Sequence, residues 1–141
     1  MPGTAARGVK ALRVLIVEDE ALVAMEIEGM VGLAGHEPVA HADDVPSAVS
    51  AAQVEKPDLA LVDIQLARGA SGLEVAAELR KQGVPVLFAT GNCPKERGRE
   101  LGLGCLHKPI TDRSLAASLA VADAVLRGRP APPAPASLHL Y

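Results

Sequence analysis

Short apolar runs that end at a polar residue recur along this chain, and they constrain its fold more than any other feature. Three of them are VLIV before Glu18, LALV before Asp63 and VLFA before Thr90; a fourth, CLH, precedes Lys108. Unbroken apolar runs of this length are typical of strands that are buried on both faces of a parallel sheet. Segments with helical periodicity lie between them. The alternation predicts an α/β fold, a doubly wound parallel sheet of five strands with five helices.

The same pattern predicts how the chain is organised. We expect a flexible leader at residues 1–10, one folded domain at residues 11–127 and a Pro/Ala-rich tail at residues 128–141. The tail, GRPAPPAPASLHLY, is expected to stay extended and solvated, although SLHLY is apolar enough for docking to be an alternative.

Composition excludes several classes of function. The net charge of −3 provides no basic patch, so we expect no nucleic-acid partner. No apolar stretch approaches the roughly 20 residues that span a bilayer, so we expect no membrane association and a cytoplasmic location. Cys93 and Cys105 have neither metal-ligand spacing nor the pattern of a disulfide framework. We therefore expect Cys105 to be a small core residue, with a redox-sensing thiol as the alternative.

Polar residues follow four of the predicted strands. Because the carboxyl ends of parallel strands meet at one edge of a sheet, Glu18, Asp19, Asp63, Thr90 and Lys108 are expected to lie together. Clustered carboxylates repel one another unless a cation lies among them, and carboxylate oxygens suit Mg²⁺. A lysine and a hydroxyl beside that ion are typical of a site for phosphoryl transfer to a carboxylate.

The motifs VLIVEDE, LALVDIQL, LFATG and LHKPI, in this order, resemble the receiver domain of two-component response regulators. The resemblance implies a flavodoxin-like, CheY-like fold in which Asp63 accepts a phosphoryl group. It also implies that Asp19, Asp63 and the backbone carbonyl of Gln65 bind Mg²⁺, with Glu18 acting through water. Thr90 and Lys108 would contact the phosphoryl group, and the Lys108–Pro109 peptide bond would be cis.

The segment VPVLFATG is similar to the FATGUY group of stand-alone receivers, which implies a sensor histidine kinase of HWE type, or a phosphotransfer protein, as phosphodonor. Three positions depart from the family pattern. Cys105 replaces the usual switch aromatic, Asn92 stands where a tyrosine is common, and Ala67 replaces a proline.

The partners implied by the resemblance are proteins. We expect the kinase to dock on the first helix at Ala21 and Met25, where small residues flank an outward-facing methionine. Only residues 128–141 follow the receiver-like segment, so we expect no output domain, no enzymatic turnover beyond the protein's own phosphorylation and dephosphorylation, and an unknown output protein or a phosphate-sink role. A monomer or weak homodimer is expected.

Two alternatives remain at this point. The chain could be a binding module of receiver fold that works without phosphorylation, with Asp63 a structural carboxylate at a strand end. It could also be a metal-dependent phosphatase of similar architecture. Such enzymes typically carry a second aspartate two residues after the nucleophile, and that position is Gln65 here.

Overall fold

A computed structural model describes residues 10–66, 69–94 and 96–141. The predicted leader, apart from Lys10, and Ala67 lie outside the described residues. Strands and helices alternate along the chain as expected. Among the described residues, every helix is too short or too polar to cross a lipid bilayer. The elements in chain order are β1 (Arg13–Val17), α1 (Ala21–Leu33), β2 (Glu37–Ala42), α2 (Val45–Glu55), β3 (Leu59–Val62), α3 (Gly72–Lys81), β4 (Val86–Thr90), α4 (Glu96–Leu101), β5 (Gly104–His107), α5 (Asp112–Leu126) and β6 (Leu138–Leu140).

The strands form one sheet in the order β2-β1-β3-β4-β5-β6. The first five are parallel to one another, which confirms the predicted doubly wound class. The chain passes from β1 to β2 on one side and then from β2 to β3 on the other side of β1, so the winding reverses between β1 and β3. In open sheets of this type, ligands bind beyond the carboxyl ends of the strands at that point.

Strict alternation along each strand divides the core between the two faces of the sheet. In β1, Val14 and Ile16 face the cluster under α1 and α5, whereas Leu15 and Val17 face the cluster under α2 and α3. All four side chains are buried. Phe88 in β4 belongs to the second cluster and is fully buried. Aliphatic side chains fill both layers, as the near absence of aromatic residues requires.

Local hydrogen bonds determine where several helices begin. Asp44 and Ser47 form a reciprocal capping box at α2, and Thr111 and Ser114 do the same at α5. The Ser71 side chain accepts a hydrogen bond from the backbone N–H of Leu73 and so caps α3. These caps hold the helix starts beside the strands that precede them.

The sixth strand corrects the sequence prediction. We expected five strands and a solvated tail, but Leu138–Leu140 pairs antiparallel with β5. The Leu138 side chain is only 6% exposed and joins the core cluster under α1 and α5. The Tyr141 backbone N–H donates to the Leu103 carbonyl at 3.0 Å, and its hydroxyl donates to the Pro94 carbonyl at 3.1 Å. These residues leave solvent because β5 offers unpaired backbone groups at its open edge and because the Leu138 side chain can be buried in the core.

The cysteines provide a second correction. Cys93 and Cys105 form a disulfide with a Cα–Cα distance of 6.0 Å, so the expectation of unpaired cysteines is wrong. Cys105 is nevertheless a buried residue of β5, as predicted for a small core side chain. The two residues are 12 positions apart in sequence. The fold brings them together because β4 and β5 are neighbouring strands and Cys93 lies just beyond β4.

Candidate functional site

Three carboxylates meet at the edge where β1 and β3 end. Glu18 and Asp19 follow β1, and Asp63 follows β3. One oxygen from each of these side chains lies within 4.8 Å of the others, an arrangement that could hold a metal ion. Glu18 and Asp63 are 1% and 7% exposed, whereas Asp19 is half-buried. The sequence-predicted acidic cluster is therefore assembled in the structure.

Lys108 joins two of these carboxylates. Its Nζ donates to Glu18 Oε1 at 2.8 Å and to Asp63 Oδ2 at 2.9 Å. Burial lowers the pKa of Lys108, but the hydrogen bonds to both carboxylates outweigh that effect and leave its pKa above the ordinary value. The ammonium therefore stays charged at neutral pH. The bond to Glu18 was not predicted from the sequence.

Glu18 is the most buried of the three acidic residues, and a water-mediated contact of Glu18 with a metal ion stays a prediction. Burial raises the pKa of its carboxyl, the hydrogen bonds from Lys108 and the Glu20 backbone N–H oppose that rise, and the negative charge of Asp63 adds to it. His41, in β2, holds the Glu18 backbone through a 2.7 Å contact between its Nε2 and the Glu18 carbonyl. Because a carbonyl oxygen only accepts, Nε2 carries the proton. No sequence signal identifies His41 as a neighbour of the site.

The residues present fit a divalent cation. Three carboxyl side chains and one lysine meet at this edge, so acidic groups outnumber the single basic group there. The donors are all oxygens, the ligands that Mg²⁺ prefers. Asp19 is the least buried of the three acids and lies at the solvent side of the cluster. The cluster thus carries the charge and the chemistry of a magnesium site.

The backbone around Asp63 positions its carboxylate. The Gln65 backbone N–H donates to Asp63 Oδ1 at 3.2 Å, and the Asp63 backbone N–H donates to the Val17 carbonyl at 3.0 Å. A Cβ at Gly72, the first residue of α3, would lie 2.0 Å from the Asp63 carbonyl oxygen. Glycine is therefore required at residue 72 for α3 to pack this closely against the Asp63 backbone. Metal binding by the Gln65 carbonyl stays a prediction.

Thr90 and Lys108 end neighbouring strands. Thr90 is 1% exposed, and its Oγ1 accepts a hydrogen bond from the Asn92 backbone N–H at 3.3 Å. The Lys108 backbone N–H donates to the Thr90 carbonyl at 3.0 Å, which ties the two residues together. The Lys108–Pro109 peptide bond is cis, the conformation that the resemblance implies for it.

The predicted docking surface is exposed. Ala21, Met25 and Gly29 lie on the outer side of α1, and the Met25 residue is 65% exposed. Leu22, which the sequence analysis did not single out, is 75% exposed beside it. A groove of about 360 Å³ separates α1 from the segment after β5. Its lining includes Val23, Ile27, Met30, Lys108, Pro109 and Ile110.

Comparisons with known proteins agree with this geometry. The response regulator receiver domain family matches residues 14–120. The transcriptional regulatory protein PdtaR of Mycobacterium tuberculosis is 36% identical over 127 residues, which cover 85% of this chain and 62% of PdtaR. This chain therefore spans less than two thirds of that relative.

Two solved structures extend the comparison. The signal receiver domain of a modulated diguanylate cyclase from Desulfovibrio desulfuricans is 31% identical with a TM-score of 0.75, covering 84% of this chain and 98% of that one. PhyR of Bartonella quintana, described as an anti-anti-sigma factor, is 32% identical with a TM-score of 0.68, covering 86% of this chain and 50% of that one.

Proposed function

Because the chain belongs to the response regulator receiver domain family, we propose that Asp63 accepts a phosphoryl group and that the phosphorylated protein signals by binding another protein. One observation carries the proposal. The Asp63 carboxylate is buried, held by the Gln65 N–H and by Lys108, and adjoined by two further carboxylates. A purely structural carboxylate would not need a second and third acid within 4.8 Å of it.

In the proposed chemistry, a phosphohistidine donates its phosphoryl group to Asp63. The donor protein is a sensor histidine kinase, with the HWE type as one candidate, or a phosphotransfer protein. An Asp63 carboxylate oxygen attacks phosphorus, the P–N bond breaks, and the imidazole leaves and takes up a proton. The product is an acyl phosphate on Asp63. Water later attacks the phosphorus and releases inorganic phosphate, which restores the carboxylate.

The surrounding side chains orient and neutralise the transferring group. Lys108 pairs with Asp63 before transfer and with a phosphoryl oxygen afterwards, and the Thr90 hydroxyl donates to another phosphoryl oxygen. Asp19, Asp63 and the Gln65 carbonyl would hold Mg²⁺ directly, and Glu18 would hold it through water. Bound magnesium supplies positive charge that offsets the carboxylates and the phosphoryl oxygens.

The phosphodonor is proposed to dock on α1. Leu22 and Met25 are large apolar side chains exposed next to Ala21 and close to the acidic edge. An apolar helix face bordered by small residues suits a partner helix packed against it. Replacing Met25 with glutamate should slow transfer from the kinase while leaving labelling by acetyl phosphate unchanged.

The output is proposed to be a protein–protein interaction, with the chain acting as a monomer or weak homodimer and without turnover of other substrates. The net charge of −3 disfavours a nucleic-acid target. PhyR of Bartonella quintana is an anti-anti-sigma factor, so a protein regulator of transcription is one class of partner to test here.

Acetyl phosphate and Mg²⁺ provide the direct test. Intact-protein mass spectrometry should detect one added phosphoryl group on the wild-type chain and none on Asp63→Asn. Asp58→Asn is the matched control, since Asp58 is an exposed carboxylate just before β3. Equal labelling of the Asp63→Asn variant would refute the proposal. A wild-type chain that is never labelled would favour a phosphorylation-independent binding module.

A further inference from the structure

The Cys93–Cys105 disulfide lies next to the candidate site. Cys93 follows Thr90 by three residues, and Cys105 precedes Lys108 by three residues. The bond therefore joins the segment after β4 to the strand that delivers Lys108. Each of the two side chains proposed to contact the phosphoryl group, Thr90 and Lys108, therefore lies three residues from a different end of this bond.

Two hydrogen bonds hold residues 91–94, the described segment after Thr90. The Asn92 backbone N–H donates to Thr90 Oγ1, and the Pro94 carbonyl accepts the hydroxyl of Tyr141. Asn92 is exposed and Cys93 and Pro94 are half-buried. The backbone joins this segment to β4 at Thr90, and the disulfide adds a covalent link from Cys93 to β5. Breaking it would leave the segment free to rearrange around Thr90.

The two cysteine residues differ in burial. Cys105 is fully buried, whereas Cys93 lines an open groove of about 1060 Å³ together with Pro94, Arg99 and Tyr141. A small thiolate in the groove therefore approaches the disulfide from the side of Cys93. Exchange at that sulfur makes the buried Cys105 sulfur the leaving group.

We propose that Cys93 and Cys105 form a reversible thiol–disulfide exchange site whose reactant is a low-molecular-weight thiol, and that its state alters phosphoryl binding at Asp63. The second part rests on the proposed function. In the disulfide form the segment after Thr90 is tethered to β5. In the dithiol form it is free to close over a phosphoryl group.

The exchange proceeds in two balanced steps. The reactant thiolate attacks Cys93 Sγ, the Cys93–Cys105 bond breaks, and Cys105 leaves as a thiolate that takes up a proton. A second reactant thiolate attacks the reactant sulfur of the mixed disulfide, which releases the Cys93 thiolate, also to be protonated. The protein disulfide gains two electrons and two protons, and two reactant thiols become one reactant disulfide. The reverse steps restore the protein disulfide.

Glutathione alone tests the exchange site without any phosphoryl chemistry. The full chain is equilibrated in buffers of varied reduced and oxidised glutathione, quenched in acid, alkylated and analysed by mass spectrometry. We expect a reversible transition between two free thiols and none, with a mixed disulfide at Cys93. Cys93→Ser should show no transition. A wild-type chain with two free thiols in every buffer, or a bond that no thiol reduces in the folded protein, would overturn the proposal.

Beryllofluoride with Mg²⁺ then tests the coupling. Its affinity, measured by calorimetry, should be about fivefold weaker for the disulfide form than for the dithiol form. Because coupling is reciprocal, beryllofluoride should shift the glutathione transition toward the dithiol by the same factor. Cys93→Ser should bind as the dithiol form does in either buffer. Equal affinities of the two forms for beryllofluoride would overturn the coupling. If beryllofluoride binds neither form, the proposed function is overturned, and the exchange site is then tested by the glutathione experiment alone.

Discussion

In the acidic cluster of Glu18, Asp19 and Asp63, one ammonium group joins Glu18 to Asp63. The neighbouring region is held instead by a covalent bond and by strand pairing. That neighbour, which we call the disulfide flank, comprises Cys93, Cys105 and residues 138–141. Lys108 is the side chain that ties the cluster together, through hydrogen bonds of 2.8 and 2.9 Å. The disulfide flank contains no carboxylate side chain.

The difference indicates what each region can respond to. A charge-held cluster rearranges when a cation or a phosphoryl group changes the electrostatic balance, because its members already repel one another. A covalently held flank responds to thiol chemistry and to loss of strand pairing. The two regions meet at Thr90 and Lys108, which lie between them.

Loss of the disulfide should have the largest effect on stability. Closing a loop between residues 12 positions apart restricts the unfolded chain, and its release should lower the free energy of unfolding by about 3 kcal/mol. Urea denaturation with and without dithiothreitol measures the change. Cys93→Ala should be destabilised to the same degree and be unaffected by dithiothreitol. Identical wild-type midpoints in the two buffers would contradict the prediction.

Removal of the shared ammonium should have the next largest effect. Lys108→Met leaves the buried Glu18 and Asp63 without their counter-charge and should lower the free energy of unfolding by about 2 kcal/mol in metal-free buffer. Lys81→Met is the control, because its ion pair with Glu78 is exposed and should contribute less than about 0.5 kcal/mol. Equal effects of the two substitutions would mean that charge does not hold the cluster.

The Tyr141 hydroxyl should contribute less. Tyr141→Phe removes the hydrogen bond to the Pro94 carbonyl and should cost about 0.5 kcal/mol in urea denaturation. Burial raises the pKa of Tyr141 while the positive charge of Arg99 opposes the rise, so the folded state favours the neutral phenol. This stabilisation is full below the ordinary tyrosine pKa of 10.0 and is lost as pH rises through the folded value. Tyr141→Phe should abolish that alkaline loss, and a variant that keeps it would place its origin elsewhere.

His36 lies outside both the acidic cluster and the disulfide flank and provides a reference for the pH dependence of stability. Its Nδ1 accepts a hydrogen bond from the Leu12 N–H, and burial lowers its pKa; the charge of Asp123 opposes that shift and the charge of Arg127 adds to it. The neutral ring is favoured in the folded state, so stability is full above the ordinary pKa of 6.5 and falls as pH drops below it. His36→Gln should flatten the acid limb of the urea midpoint, and an unchanged limb would contradict the assignment.

Much of the sheet and of the acidic cluster could be predicted because both depend on local patterns. Apolar runs identify the parallel strands. The polar residues at the carboxyl ends of β1, β3 and β4 must then meet at one edge of the sheet. The burial of Asp63 and its contact with Lys108 follow from that placement.

The disulfide flank could not be predicted because it depends on distances that the fold alone creates. The disulfide between Cys93 and Cys105 forms only if β4 and β5 are neighbouring strands, although α4 separates them in the sequence. Residues 138–140 form a strand only because β5 offers an open edge, and three residues carry too weak a pattern to be identified. The contact between His41 and Glu18 likewise depends on the pairing of β2 with β1.

The pairing of β6 with β5 has a consequence for competition. The Pro/Ala-rich residues 127–137 link β6 to α5, so β6 is tethered at the β5 edge at an effective concentration that the reach and stiffness of this link determine. A partner that adds its own strand to β5 must first displace this internal competitor. Such a partner would appear weaker to the intact chain than to a chain ending at residue 137, and that ratio of affinities would measure how firmly the edge is occupied.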